Sequence, residues 1–184
     1  MTGWELPVTA TIGGKTYALR TDYREILAIF ACLQNEASPE FLRWHMALAR
    51  FYEEEIPNED FGEAAEYFRS FVCCGEEEEC NSGPQLLDWQ QDAQVIVADI
   101  NKVAGKEIRE LPYVHWWTFL SWFHGIGEGN LATLVSIRDK LNRGKKLEPH
   151  EKEYVRRNRE RVKLRKKYSA SELAEQERLK ALLG

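Results

Sequence analysis

The stretch Pro84-Gln-Leu-Leu-Asp-Trp-Gln-Gln-Asp-Ala-Gln-Val-Ile-Val-Ala-Asp-Ile-Asn-Lys-Val-Ala-Gly105 decides the fold class. Leu86, Trp89, Ala93, Ile96, Ile100 and Val103 recur in steps of three and four, which lays one apolar stripe along an α-helix. Pro84 suits a first helical turn, where its missing N–H costs nothing, and Gly105 suits the left-handed residue that closes a helix. Downstream, Pro112 begins the most aromatic segment, with Tyr113, Trp116, Trp117, Phe119, Trp122 and Phe123 in close succession. Gly125, Gly127 and Gly129 then read as a helix–loop–helix corner in which glycines supply left-handed backbone. Leu131, Leu134, Ile137 and Leu141 form a further stripe that runs to Gly144.

Upstream, the same period recurs. Asp22 and Glu25 have the spacing of a capping box before Tyr23, Ile26, Leu27, Phe30 and Leu33. Ser38-Pro39-Glu40 places a cap, a first-turn proline and an acid ahead of Phe41, His45, Leu48 and Tyr52. Asn58 stands as the cap of a helix carrying Phe61, Ala64, Phe68 and Phe71. Only the N-terminal segment departs from the helical period: Val8 to Ile12 alternates, Gly13-Gly14 follows, and Lys15 to Leu19 alternates again, a hairpin with a two-residue turn. The expected fold is mainly α, a multi-helix domain with a short N-terminal β-hairpin, and no βαβ alternation points to a parallel nucleotide-binding sheet.

The 184 residues are 43% hydrophobic and 30% charged, an ordinary globular composition. No apolar run approaches the roughly 20 residues of a membrane span. The N-terminus lacks the basic and apolar regions of a secretory signal, so a cytosolic protein is expected. The net charge of −5 conceals a polarity: residues 1–100 carry 6 Lys/Arg against 19 Asp/Glu, and residues 101–184 carry 19 against 11. The acidic run between Gly75 and Gly83 reads as an exposed loop and internal joint of a domain spanning 1–147. From Arg138 to Lys167 there are 14 Lys/Arg against 5 Asp/Glu, and few apolar residues between Pro149 and Tyr168 offer a core face. Residues 148–184 therefore read as a basic helical extension, solvated or awaiting a partner, ended by an amphipathic helix from Ser169 through Leu183.

The tests for chemistry return little. Cys73, Cys74 and Cys80 lie close together, but adjacent cysteines do not readily share a metal, and Cys32 is distant. The corner Gly125-Ile-Gly-Glu-Gly-Asn130 follows no strand, lacks a Lys-Ser/Thr, and puts Glu128 where a phosphate would sit. His45, His115, His124 and His150 are scattered, and no nucleophile elbow occurs. The expectation is a protein with no catalytic residues, no metal and no cofactor.

Docking remains. Neighbours on a helix differ by about 100°, so Trp116 and Trp117 are expected to divide between core and flank, and an exposed Trp117 or Trp122 would anchor a partner helix. Arg138, Arg156, Arg157, Arg161 and Arg165 complete the candidate partner-binding set. A basic helix with Arg159, Lys163, Lys166 and Lys167 alongside them could instead neutralise phosphates, but the acidic first half would repel a nucleic acid.

Five pieces of sequence, taken as an ordered set, resemble a known family: Asp88-Trp89-x-x-Asp92-Ala93, His115-Trp116-Trp117-x-Phe119, Ser136-Ile137-Arg138-x-Lys140, Gly144-Lys145-Lys146-Leu147 and Glu151-Lys152-x-Tyr154. The chain is similar to the bacteriophage "gene product fifteen" family, found in the tail modules of phages and prophages of Gram-positive bacteria. The family's genomic setting, between the genes for the major tail protein and the tape measure protein, is that of tail assembly chaperones. The resemblance implies a protein of the host bacterial cytoplasm that binds the tape measure protein and keeps it soluble. It would meet tail tube protein during polymerisation, self-associate, and be absent from the mature virion. A structural tail or head-completion subunit is the other reading it allows. The family brings no catalytic or ligand-binding residues to carry over.

Overall fold

Gly13 and Gly14 take φ of 55° and 77°, the positive values a two-residue hairpin turn demands, and they join β1 (Thr9–Ile12) to β2 (Lys15–Ala18). The computed structural model describes residues 4–75, 84–165 and Arg178. Within them the chain forms two compact units: residues 4–75 with His115–Trp117, and residues 84–114 with 118–165. The eight described α-helices and one antiparallel hairpin bear out the mainly α expectation.

In the first unit the strands pair with Ala10 opposite Tyr17, and Ala10, Ile12 and Tyr17 are buried, as the alternation requires. Gly13 is needed twice over, for its positive φ and because a Cβ there would strike the Asp60 carboxylate; its N–H donates to Glu63 at 3.0 Å. Helix α1 (Tyr23–Leu33) begins at Asp22, whose side chain accepts from the Arg24 N–H; Glu25 does not close the capping box but pairs with Arg50 at 2.7 Å. Helix α2 (Glu40–Phe51) packs on α1. Its cap position is held by Pro39 with no side-chain bond, so Ser38 does not cap it as predicted. At its other end Arg20 donates to the carbonyls of Ala49, Arg50 and Tyr52, satisfying acceptors that a helix end leaves open. Asn58 opens a 3-10 turn (Asn58–Asp60), and α3 (Phe61–Val72) follows directly. Phe51 lies 5.0 Å from both Phe68 and Phe71, and these rings centre the core.

The second unit starts later than its periodicity suggests. Helix α4 spans Ala93–Ala104, so Leu86 and Trp89 precede it and Pro84 does not open it. The reason is local: Asp88 turns its carboxylate onto the N–H groups of Gln90 and Gln91 at 2.9 and 2.8 Å, and Asp92 takes the Asp88 N–H at 2.9 Å. Side-chain bonds of this kind compete with helix hydrogen bonding. Gly105 closes α4 with φ of 67°, as expected. Helix α5 (Trp116–His124) passes from the first unit into the second at Thr118; beyond that point Phe119 and Phe123 pack on Trp89 at 6.1 and 5.0 Å.

None of Gly125, Gly127 and Gly129 adopts a positive φ, so the left-handed corner is corrected. Gly129 is required by proximity instead. A Cβ there would lie 2.8 Å from Asp99 Oδ2, which accepts the Leu131 N–H at 2.8 Å and caps α6 (Asn130–Asn142). Burial opposes the charge on Asp99, but Lys102 at 2.6 Å and the amides of Leu131 and Asn130 outweigh it and hold the carboxyl below its usual range. The described part of the predicted basic helix 149–168, residues 149–165, holds two short helices, α7 (Pro149–Arg157) and α8 (Arg159–Val162), separated at Asn158, whose side-chain amide donates to the Tyr154 carbonyl at 3.0 Å, and residues 166–168 lie outside the described residues. Val162 packs with Leu134 and Ile137, and Leu147, Tyr154 and Val155 flank them. Residues 148–165 share a compact unit with α4 and α6. The predicted acidic loop beyond Gly75, Cys80, and the helix from Ser169 lie outside the described residues. No described helix is long and apolar enough to cross a membrane.

Candidate functional site

Arg138 organises the second unit. It takes the stripe position between Leu134 and Leu141 on α6 and is only 3% exposed. A guanidinium has five N–H donors, and each finds an acceptor here. Nε donates to the Val162 carbonyl at 2.9 Å. One terminal nitrogen donates to Leu86 O at 2.9 Å and Asp92 Oδ2 at 2.6 Å, the other to Asp92 Oδ1 at 2.8 Å and Arg161 O at 2.6 Å. Asp92 is fully buried, and the pair is bidentate. The side chain ties α6 to the turn before α4 and to the end of α8. Gln91 reinforces the same join, donating to Lys163 O at 2.8 Å and accepting the Arg165 N–H at 2.9 Å.

Over this knot lies a groove of about 490 Å³. Leu141, Val155, Val162 and Leu164 give it an apolar lining, Pro84 and Gln85 border it, and Arg159 and Lys163 stand on its rim. Leu141 is 46% exposed, a large apolar side chain left open to solvent. Neither rim cation has an ion pair among the described residues. An apolar floor under uncompensated positive charge suits an amphipathic helix that carries acids beside its apolar face.

The structure separates the sequence-selected residues. Arg138 is spent internally, as above, and presents no donor to a partner. Trp116 and Trp117 are both buried, which corrects the expected division between core and flank. Their indole N–H groups donate to the carbonyls of Val72 and Phe71 at 3.0 and 2.8 Å, at the C-terminal end of α3. Trp122 is half-buried on α5. Arg156 and Arg157 are exposed, and both pair with Glu153, at 2.7 and 2.6 Å. Arg161 and Arg165 are exposed too, with their backbones engaged by Arg138 and Gln91. Sequence reasoning gave Asp92 and Asp99 no role of their own, although Asp99 interrupts the apolar stripe of α4 and Asp92 stands at the cap position before it.

His115 is a further buried polar group that the sequence left unassigned. Its Nδ1 accepts the Trp117 N–H at 3.0 Å, so Nε2 carries the proton and donates to the Pro7 carbonyl at 3.0 Å. Burial lowers its pKa from 6.5, and the Pro7 bond only partly opposes this. The folded state therefore binds fewer protons than the unfolded state. The stabilisation from neutral His115 is complete above the unfolded pKa of 6.5 and drains as pH falls toward the lower folded value. Urea midpoints should fall between about pH 7.5 and 5.5. His115→Asn, which retains an acceptor for the Trp117 N–H, should flatten that slope; parallel profiles for the two proteins would contradict the assignment.

No three His, Cys, Asp or Glu side chains converge in the manner of a metal site among the described residues. What the geometry defines is a helical protein with an open, largely apolar groove beside Arg159 and Lys163. The model of the family described as "Bacteriophage Gp15 protein" matches residues 4–164 of the chain, which therefore belongs to that family. No curated protein and no solved structure matches it. Membership makes this a bacteriophage structural or assembly protein.

Proposed function

We propose that the chain is a noncatalytic tail assembly chaperone that holds the tape measure protein soluble while tail tube protein polymerises. It would work in the host cytoplasm and leave before the particle is complete. The observation that carries this reading is the groove on α6, α7 and α8. Its apolar lining and its rim of Arg159 and Lys163 suit the amphipathic helices of a long coiled-coil client. A single groove of this size binds modestly, so many copies along one client would share the load and release it one by one. The nucleic-acid reading is less well supported: Arg138 is internal, and Arg156 and Arg157 are each paired to Glu153.

Co-expression with the adjacent tape measure gene tests the proposal. The expected result is soluble tape measure co-eluting with this chain, and a loss of at least tenfold in complex with Leu141→Asp. Insoluble tape measure with no complex would defeat it. Recovery of this chain from purified particles would favour the structural-subunit reading instead.

A further inference from the structure

The first unit carries an apolar surface that the docking groove does not explain. On α2, Phe41 is 66% exposed, Leu42 42% and Met46 54%. Positions 41, 42, 45 and 46 fall on one side of the helix, where His45 also stacks on Phe61 at 4.4 Å. The exposed arginine of α2, Arg50, is already tied to Glu25. Glu36 and Glu40, exposed at the helix start, have no ion pair among the described residues. The face is therefore apolar with acid beside it, the complement of the groove in the second unit, which is apolar with Arg159 and Lys163 beside it.

We infer that α2 of one copy docks in the groove of a second copy, with Phe41, Leu42 and Met46 entering between Leu141, Val155 and Leu164 and Glu36 and Glu40 meeting Arg159 and Lys163. Two surfaces that would each be an aggregation hazard alone are covered by one contact. Knob and socket are different patches, so the contact is heterologous, and one copy can receive and donate at once. This goes beyond the client reading and needs no client: a tape measure helix would compete with α2 for the groove, and the second copy keeps the groove covered until then.

Sedimentation of the purified full chain between about 1 and 100 µM tests it, the range in which interfaces of this small size associate. The expected result is a mass rising with concentration to that of a dimer or larger, and falling back as salt is added. Phe41→Asp removes the knob and Leu141→Asp the socket; both residues are exposed, so both variants should remain folded by circular dichroism. Each variant alone should be monomeric. Mixed, they should form a 1:1 complex, because the socket of the first and the knob of the second are intact. A monomeric wild type, a Leu141→Asp variant that still associates through α2 alone, or a mixture that stays monomeric would each overturn the inference. None of these outcomes touches co-elution with tape measure, so the two proposals fail separately.

Discussion

Asp92→Ala is expected to destabilise the second unit by about 3–5 kcal/mol, the usual cost of removing one partner from a buried ion pair. Arg138 would keep three carbonyl acceptors, from Leu86, Arg161 and Val162, but lose its carboxylate partner among the described residues, and at 3% exposure water compensates little of that loss. Urea unfolding followed by circular dichroism reads the loss. Arg138→Met should cost a similar amount through the stranded Asp92 carboxylate. The double variant Asp92→Leu/Arg138→Met should cost clearly less than the two single losses added, since it strands neither charge. A loss below about 1 kcal/mol for Asp92→Ala would mean that the pair is solvated and weak. The same variants report on docking, because Arg138 holds the carbonyls of Arg161 and Val162 and so fixes the wall that carries Lys163 and Leu164. Groove binding should weaken even in the fraction that stays folded.

The helix stripes and the hairpin were legible because each rests on contacts between residues close in sequence. Gly13-Gly14 between two alternating runs admits little but a tight turn, and Asp22 reaches only to the Arg24 amide. What escaped depends on distant partners. The start of α4 is set by Asp88 and Asp92, and Asp92 is oriented by a guanidinium 46 residues away. Gly129 looked like a left-handed corner; its smallness is needed because Asp99, on another helix, lies against it. The basic run after Pro149 read as one solvated helix because its charge masks Val155 and Val162, the residues that pack. Arg138 could have been found: it falls on the 131–134–138–141 stripe, and a charge in that position is either an error of register or a buried pair. The groove could not have been found, since its lining comes from residues between 84 and 164.

The tryptophan pair shows where fold and docking part. Trp116→Ala and Trp117→Ala should each cost about 3–5 kcal/mol, the range for emptying a buried indole site. The phenylalanine variants separate packing from hydrogen bonding. Trp116 Nε1 donates to the part-buried Val72 carbonyl, so Trp116→Phe removes that donor and should cost about 1 kcal/mol. The Phe71 carbonyl bonded by Trp117 also accepts the Cys74 N–H at 3.1 Å, so Trp117→Phe should cost less. Equal losses would show that ring volume, and not the two carbonyls, fixes these positions. Both phenylalanine variants should bind tape measure as the wild type does wherever they are folded, whereas Leu141→Asp should lose binding and keep its stability. If instead Trp117→Phe lost the client without loss of stability, the indole would be a contact residue, and the docking surface would have to be moved from the groove on α6 to α8 to the start of α5.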